Sequence, residues 1–219
     1  MKKTAQLKSL VMAMAVAGST LAALTPATSQ AEVSYNASVS NMYLWRGQNL
    51  GGSKNGVPQV AGGADYSSDM FYAGTWVGSG DTTAGTEWDV YAGVTPKFGE
   101  VSFNLGIAEY MYPSAGSDIA KTDISEYVVG IGYKDFSLTS YINTDVTDSM
   151  YFSGDYSMGK IGFHVGVTDQ KGTANDYMDY NVSYAATDKL SFVLSMASGK
   201  AVDGTSGTSP MLQVSYSLM

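Results

Sequence analysis

TEWDVYAGVTPKFGEVSFNLGIA, residues Thr86–Ala108, shows most clearly the pattern that the rest of the chain repeats. Apolar side chains alternate with small or polar ones on both sides of a central turn. A period of two places successive side chains on opposite faces of a β-strand. The stretch therefore predicts a hairpin centred on Phe98 and Gly99, with Val94 opposite Phe103 and one wholly apolar face. A soluble β-sandwich alternates in the same way, so the hairpin alone leaves both folds open.

The same alternation recurs along the chain in twelve segments. Segments of roughly nine to eleven residues suit a tilted strand that crosses a bilayer. We therefore predict an all-β fold, a transmembrane antiparallel up-and-down β-barrel of twelve strands, with ten or fourteen strands if a short one is miscounted. Besides the two strands of the hairpin, the segments are Val33–Trp45, Val57–Tyr66, Phe71–Gly78, Ser125–Tyr133, Phe136–Thr144, Met150–Met158, Ile161–Val167, Tyr177–Ala186, Leu190–Met196 and Met211–Met219.

The connections between the segments alternate between short and long. The long ones, such as Arg46–Gly56 and Ser79–Gly85, are rich in Gly, Ser, Thr and Asp, which is typical of loops. This alternation places all tight turns at one end of the sheet and all long loops at the other, as in outer-membrane barrels. Aromatic residues cluster near the segment ends, where Tyr and Trp side chains meet lipid headgroups. A soluble sandwich would bury its aromatic residues centrally instead.

The amino-terminal segment differs in kind from the rest of the chain. The basic residues Lys2, Lys3 and Lys8 precede an uncharged apolar run at Leu10–Leu24. Ser29–Ala31 then has the small residues of a cleavage site. We predict a signal peptide over residues 1–31 and an outer-membrane β-barrel over residues 32–219. Removing the leader leaves 9 basic against 20 acidic residues, a net charge of about −11, which argues against nucleic-acid binding. The chain has no cysteine and hence no disulfide frame.

Membrane location implies several partners. The barrel would contact the lipid bilayer and lipopolysaccharide, and the outer-membrane assembly machinery would bind it during biogenesis. That machinery reads an alternating carboxyl-terminal strand, which Met211–Met219 supplies, although Met219 stands where an aromatic residue is usual. No stretch after the leader has the apolar length that a membrane helix needs, so a membrane form must be a closed sheet.

Three stretches carry a family resemblance: SVSNMYLWRGQN at Ser38–Asn49, GGADYSSDMFYAGTWVG at Gly62–Gly78, and EWDVYAGV at Glu87–Val94. They resemble the TorF-type porin family, also called Gcw_chp, of proteobacterial outer-membrane proteins. The resemblance covers the first third of the chain after the leader. The later part is similar only in having alternating strands with short turns. It implies a β-barrel and a pore, and it carries over no substrate or binding residue.

If the apolar face of each strand contacts lipid, the residues at the alternate positions face the lumen. The lumen-lining candidates are Arg46, Asp65, Glu87, Asp89, Tyr91, Tyr110, Glu126, Tyr141, Asp145, Asp155, His164 and Asp179. Seven of them are carboxylates, and one arginine cannot neutralise seven carboxylates in a dry interior. We expect water or cations to reach them, in an acidic vestibule that favours cations over anions. The three tyrosines fit either a sugar-binding slide or the packing of a narrow lumen.

His164 is the only histidine of the chain. A two-residue turn at Gly159 and Lys160 predicts a register with Asp155 opposite His164, as a structural pair. The sequence has no hydrolase, zinc-protease or phosphate-loop motif, so we expect no enzyme activity, no metal site and no cofactor. The favoured function is passive passage of small solutes or cations. The alternatives are a non-conducting barrel that acts through its extracellular loops, as an adhesin, receptor or envelope protein, and a barrel enzyme.

Overall fold

The computed structural model describes residues 31–52, 56–113, 124–145, 149–170, 176–199 and 209–219. The predicted signal peptide lies outside the described residues except for its last position. The strands are β1 Glu32–Ser40, β2 Leu44–Trp45, β3 Gln48–Asn49, β4 Gln59–Ser67, β5 Phe71–Asp81, β6 Gly85–Val94, β7 Lys97–Phe98, β8 Val101–Met111, β9 Ile124–Tyr133, β10 Phe136–Asn143, β11 Ser149–Met158, β12 Ile161–Gln170, β13 Tyr177–Ala185, β14 Leu190–Gly199 and β15 Met211–Ser217. Within these ranges, no helix has the length and apolar character needed to cross a membrane.

Twelve antiparallel strands close into a barrel. Each strand from β8 to β15 pairs with the next, β15 pairs with β1, and the sheet continues through β4, β5 and β6. Pairing of β6 with β8 closes the ring, and β7 continues β6 beyond an interruption at Thr95 and Pro96. The predicted twelve-stranded barrel is confirmed. Every described strand of the ring has a paired neighbour on both sides, as a sheet in lipid requires.

The hairpin of β6 and β8 has a different register from the predicted one. Val94 lies opposite Leu105, two residues beyond the predicted partner, because the turn is formed by Gly99 and Glu100. Gly99 has a φ of +62°, a conformation that glycine adopts without steric cost. A shift of two residues preserves the parity of every side chain, so the predicted faces survive the wrong turn.

Two predicted boundaries are wrong. The first predicted strand ends at Ser40, and the chain then turns inward to form the small hairpin of β2 and β3. The predicted long loop Ser79–Gly85 is a three-residue turn, in which the Asp81 carboxylate accepts hydrogen bonds from the backbone N–H groups of Thr83 and Ala84 at 2.7 and 2.8 Å. The connection between β5 and β6 is therefore a tight turn at the end of the barrel where long loops were predicted.

The apolar side of the sheet faces outward. Side chains such as Leu105 and Leu194 are 51% and 52% exposed, while polar side chains on the same strands point inward and are buried. In the predicted strand Phe71–Gly78, alternation puts Trp76 on the apolar face that contacts lipid. In the structure Trp76 lies inside the barrel and Val77 faces out. An aromatic ring fills a narrow lumen as readily as it meets lipid, so hydrophobicity alone does not decide its side. The exposed apolar belt is the surface expected of a membrane barrel.

Candidate functional site

A small hairpin inside the barrel dominates the lumen. We call residues 43–50, which contain β2 and β3, the lumenal hairpin. Arg46 and Gly47 form its tip with φ values of +44° and +75°, as a two-residue turn with both central residues left-handed requires. The Leu50 N–H donates to the Tyr43 carbonyl at 2.9 Å and closes the base. A Cβ atom at Gly47 would overlap the Cβ atom of Asp179 on β13, so only glycine allows this tip to reach the wall.

Arg46 anchors the lumenal hairpin to the far wall. Its two terminal nitrogens donate to the two carboxylate oxygens of Glu126 at 3.0 and 2.7 Å, in a bidentate pair. The Tyr110 hydroxyl donates to the same carboxylate at 2.9 Å. Arg46 is 6% exposed and Glu126 is 4% exposed, so water screens this ion pair little.

Aromatic rings surround the Arg46 guanidinium. Its Cζ atom lies 4.5 Å from the ring centroid of Trp45, 4.9 Å from that of Tyr141 and 4.3 Å from that of Tyr151. A cation over an aromatic face is stabilised by the ring quadrupole, more so where water is excluded. The rings therefore compensate part of the desolvation of this arginine, and they fix where the hairpin tip sits.

Four further contacts hold the segment around the lumenal hairpin. The Tyr43 hydroxyl donates to Glu87 on β6, and the Tyr43 and Trp76 rings lie 6.0 Å apart. The Gln48 amide donates to the Tyr177 hydroxyl at 2.7 Å. On the other side, the Gln213 amide of β15 donates to the backbone carbonyl of Met42 at 3.0 Å. The segment is thus tied to β6, β9, β13 and β15, on all sides of the barrel.

A second polar cluster surrounds His164. Asp155 lies opposite His164, as the two-residue turn predicts, and its carboxylate is 2.7 Å from Nδ1. The other ring nitrogen, Nε2, lies 2.8 Å from the Tyr151 hydroxyl and 3.1 Å from Asp179. The Ser153 hydroxyl donates to Asp155 and not to His164. The hydroxyl that contacts the imidazole is therefore that of Tyr151, and the Asp155 and Asp179 carboxylates hold the ring from both sides.

The acidic candidates divide by exposure. Glu87, Asp89, Glu126 and Asp179 are 1%, 4%, 4% and 0% exposed. We expected water to reach these carboxylates, and in this structure it does not. The physical reason is that the lumenal hairpin and the aromatic cluster occupy the space beside them. The aromatic cluster consists of the buried rings of Tyr43, Trp76, Tyr91, Tyr110, Tyr141 and Tyr151.

The remaining candidates lie nearer the openings. Asp65 accepts hydrogen bonds from the Tyr91 hydroxyl and, at 3.1 Å, from the Asn36 amide. Asp145 lies beyond the end of β10, is exposed, and accepts the Ser125 backbone N–H at 2.8 Å. It caps the rim at the long-loop end instead of lining the lumen wall.

Sequence reasoning predicted Arg46 and Glu126 in the lumen but missed the other hairpin residues and the partners Tyr151, Tyr177 and Gln213. In the predicted first strand, Val33–Trp45, alternation places Tyr43 and Trp45 on the apolar face that contacts lipid. One local signal for the hairpin is present, since Arg-Gly between two pairs of extended residues suits a two-residue hairpin turn. Nothing local indicates Tyr151 or Gln213 as partners, because both are far from the hairpin in sequence.

Comparisons with known proteins agree with a porin-like barrel. A family described as "Bacterial protein of unknown function (Gcw_chp)" matches residues 24–203. No curated protein matches the chain. Among solved structures, KdgM porin is similar with a TM-score of 0.50 and 12% identity, over 86% of this chain and 100% of that one. Identity this low shows a shared fold alone.

Two other solved barrels are similar over most of this chain. A triple mutant of the Rhodopseudomonas blastica porin has a TM-score of 0.40 and 12% identity, over 85% of this chain and 100% of that one. Outer membrane phospholipase A from Escherichia coli has a TM-score of 0.39 and 12% identity, over 83% of this chain and 75% of that one.

Proposed function

Since the chain belongs to the Gcw_chp family of bacterial proteins of unknown function, we propose that it is an outer-membrane pore for the passive passage of small solutes or cations. The observation that carries the proposal is the closed barrel with apolar side chains on its outer face and polar side chains, Glu87, Asp89, Glu126 and Asp179 among them, buried inside. A soluble barrel would bury its apolar residues instead. The proposal includes the lipid bilayer and lipopolysaccharide as surroundings and the assembly machinery as a transient partner, and it includes no catalysis.

The charge of the lumen supports a preference for cations. The described wall carries the carboxylates of Asp65, Glu87, Asp89, Glu126, Asp155 and Asp179. The one described arginine forms an ion pair with Glu126. Every described lysine lies at a short turn and is exposed. A negative lumen with low-dielectric walls concentrates cations and repels anions.

We predict that the refolded protein in a planar bilayer passes potassium several-fold better than chloride under a salt gradient. The measurement is the reversal potential of single channels. The double variant Glu87→Gln/Asp89→Asn removes two wall carboxylates at nearly constant volume and should reduce the preference. A reversal potential of the sign expected for anions in the unmodified protein would overturn the proposed selectivity.

One observation favours a second candidate, a non-conducting barrel that acts through its extracellular loops. The lumenal hairpin and the aromatic cluster fill the described lumen, so that four wall carboxylates are almost inaccessible. The two candidates differ in one measurement. A loop-acting barrel stays electrically silent even when the contacts of the hairpin are removed, whereas a pore then conducts more.

A further inference from the structure

One wall of the lumen has buried side-chain atoms that lack hydrogen-bond partners among the described residues. Asn181, Ser195 and Gln213 lie on the inner face of β13, β14 and β15, and are 4%, 1% and 1% exposed. Among the described residues, nothing bonds to either amide atom of Asn181, to the Ser195 hydroxyl or to the Gln213 carbonyl oxygen. Asn181 lies directly opposite Ser195, and Gln213 lies opposite Val193, two residues before Ser195 on β14. We call these three residues the polar wall.

Unpartnered groups at this density are unusual. Buried polar side chains in folded proteins nearly always have a hydrogen-bond partner, because desolvation without one is unfavourable. Asn181 and Ser195, which break the rule, and the unpartnered carbonyl oxygen of Gln213 beside them therefore point to molecules that bind there. The polar wall carries amide and hydroxyl groups, which both donate and accept hydrogen bonds and carry no net charge.

The cover of the polar wall is apolar. Met42 and Leu44, beside and within the lumenal hairpin, are in one buried cluster with Val193 of β14. The Gln213 amide already reaches the Met42 carbonyl, which places this cover directly against the wall. Apart from the Met42 carbonyl, this cover offers methyl and methylene groups, which form no hydrogen bonds with the Gln213 carbonyl oxygen. The hairpin is thus held by hydrogen bonds at its tip and at Tyr43, Gln48 and Met42, and these contacts leave the other polar atoms of the wall unpaired.

The opposite side of the lumen is different in chemistry. Glu87, Asp89 and Glu126 lie there with most of the aromatic cluster, whereas Asp179 lies on β13, two residues before Asn181. Glu87 and Glu126 are bonded to Tyr43 and Arg46. A cation would be attracted to the carboxylates. A neutral solute with several hydroxyl groups would instead find donors and acceptors on the polar wall.

We propose that the polar wall is the solute-contacting surface of the pore, that it takes neutral, hydroxyl-bearing solutes such as small sugars and polyols, and that the lumenal hairpin moves off it to let them pass. This inference rests on the proposed pore function and names its solute class. The hairpin moves because the closed state leaves the wall unsatisfied, and hydration or solute binding in the open state satisfies it.

The first test is a thiol placed on the wall. The chain has no cysteine, so Ser195→Cys introduces a single thiol in nearly the same volume. We expect a membrane-impermeant, cationic methanethiosulfonate reagent to modify this thiol in proteoliposomes and to reduce the entry of arabinose. Leu194→Cys, the next residue on the same strand, faces lipid and should remain unmodified. Adding Arg46→Ala, which releases the hairpin tip, should accelerate modification of Ser195→Cys by about tenfold or more.

The second test separates solute class from pore opening. Asn181→Leu keeps the volume of the side chain and removes both unpartnered amide atoms. We expect arabinose entry to fall by about tenfold, the effect of losing one or two solute hydrogen bonds, while potassium current changes less than about twofold. The lipid-facing change Leu194→Ala should alter neither quantity.

The outcomes distinguish the two proposals. If the unmodified protein conducts but Ser195→Cys resists the reagent, the pore stands and the moving hairpin is wrong. If Asn181→Leu lowers sugar entry and ion current equally, the polar wall does not select neutral solutes. If neither the unmodified protein nor Arg46→Ala carries ions or sugar, the pore proposal itself fails, and this inference fails with it.

Discussion

Replacing Arg46 with alanine is expected to raise single-channel conductance several-fold and to lower the stability of the barrel toward heat. The change removes the bidentate pair with Glu126 and the three aromatic contacts of the guanidinium. Breaking a buried ion pair by removing one partner typically costs about 3–5 kcal/mol, because the remaining charge is buried alone. The Glu126 carboxylate avoids that cost if water enters, and water can enter only where the lumenal hairpin leaves.

A double variant provides the matched control. Arg46→Met/Glu126→Gln removes both charges and keeps most of the volume, so no carboxylate is left unpaired at the hairpin tip. Neutral replacement of a buried pair is often close to neutral in stability. We therefore expect the double variant to conduct like the unmodified protein. Equal conductance in Arg46→Ala and the unmodified protein would show that this ion pair does not control the lumen.

Placing an arginine on the outer face is the second change with a large expected effect. Leu105 is half exposed near the middle of β8, and its neighbours Phe103 and Ile107 face the same way. In a bilayer, Leu105→Arg puts a charge into hydrocarbon, which is expected to destabilise the folded barrel by about 2–4 kcal/mol. Reversible unfolding by denaturant in lipid vesicles measures the difference.

The same substitution at a turn supplies the comparison. Asp135→Arg lies between β9 and β10 at the short-turn end, outside the hydrocarbon layer, and is expected to change stability by less than about 1 kcal/mol. A soluble sheet would tolerate Leu105→Arg on its exposed face as readily as Asp135→Arg at its turn. Equal costs at the two positions would therefore mean that lipid is not the solvent for this face.

Several features of this barrel follow from short-range sequence patterns. Period-two alternation assigned Leu105 and Leu194 to the outer face and Glu87 and Glu126 to the inner one, because the pleat of a strand decides the side of each residue locally. The two-residue turn at Gly159 and Lys160 set the register of Asp155 with His164, since a short turn leaves one alignment. The turn of the β6–β8 hairpin was misplaced by one residue, which shifts the register by two and therefore leaves every side chain on its predicted face.

By itself, the sequence determined the all-β barrel and the outer or inner side of residues such as Leu105 and Glu87, both of which depend on neighbours along the chain. Only the tertiary structure decided what occupies that lumen. Arg46 meets Glu126 across 80 residues of sequence and Gln213 meets Met42 across 171, so these contacts exist only after the barrel closes. Alternation has no information on distances across a closed ring. The paired, covered state of the carboxylates is therefore a property of the closed fold.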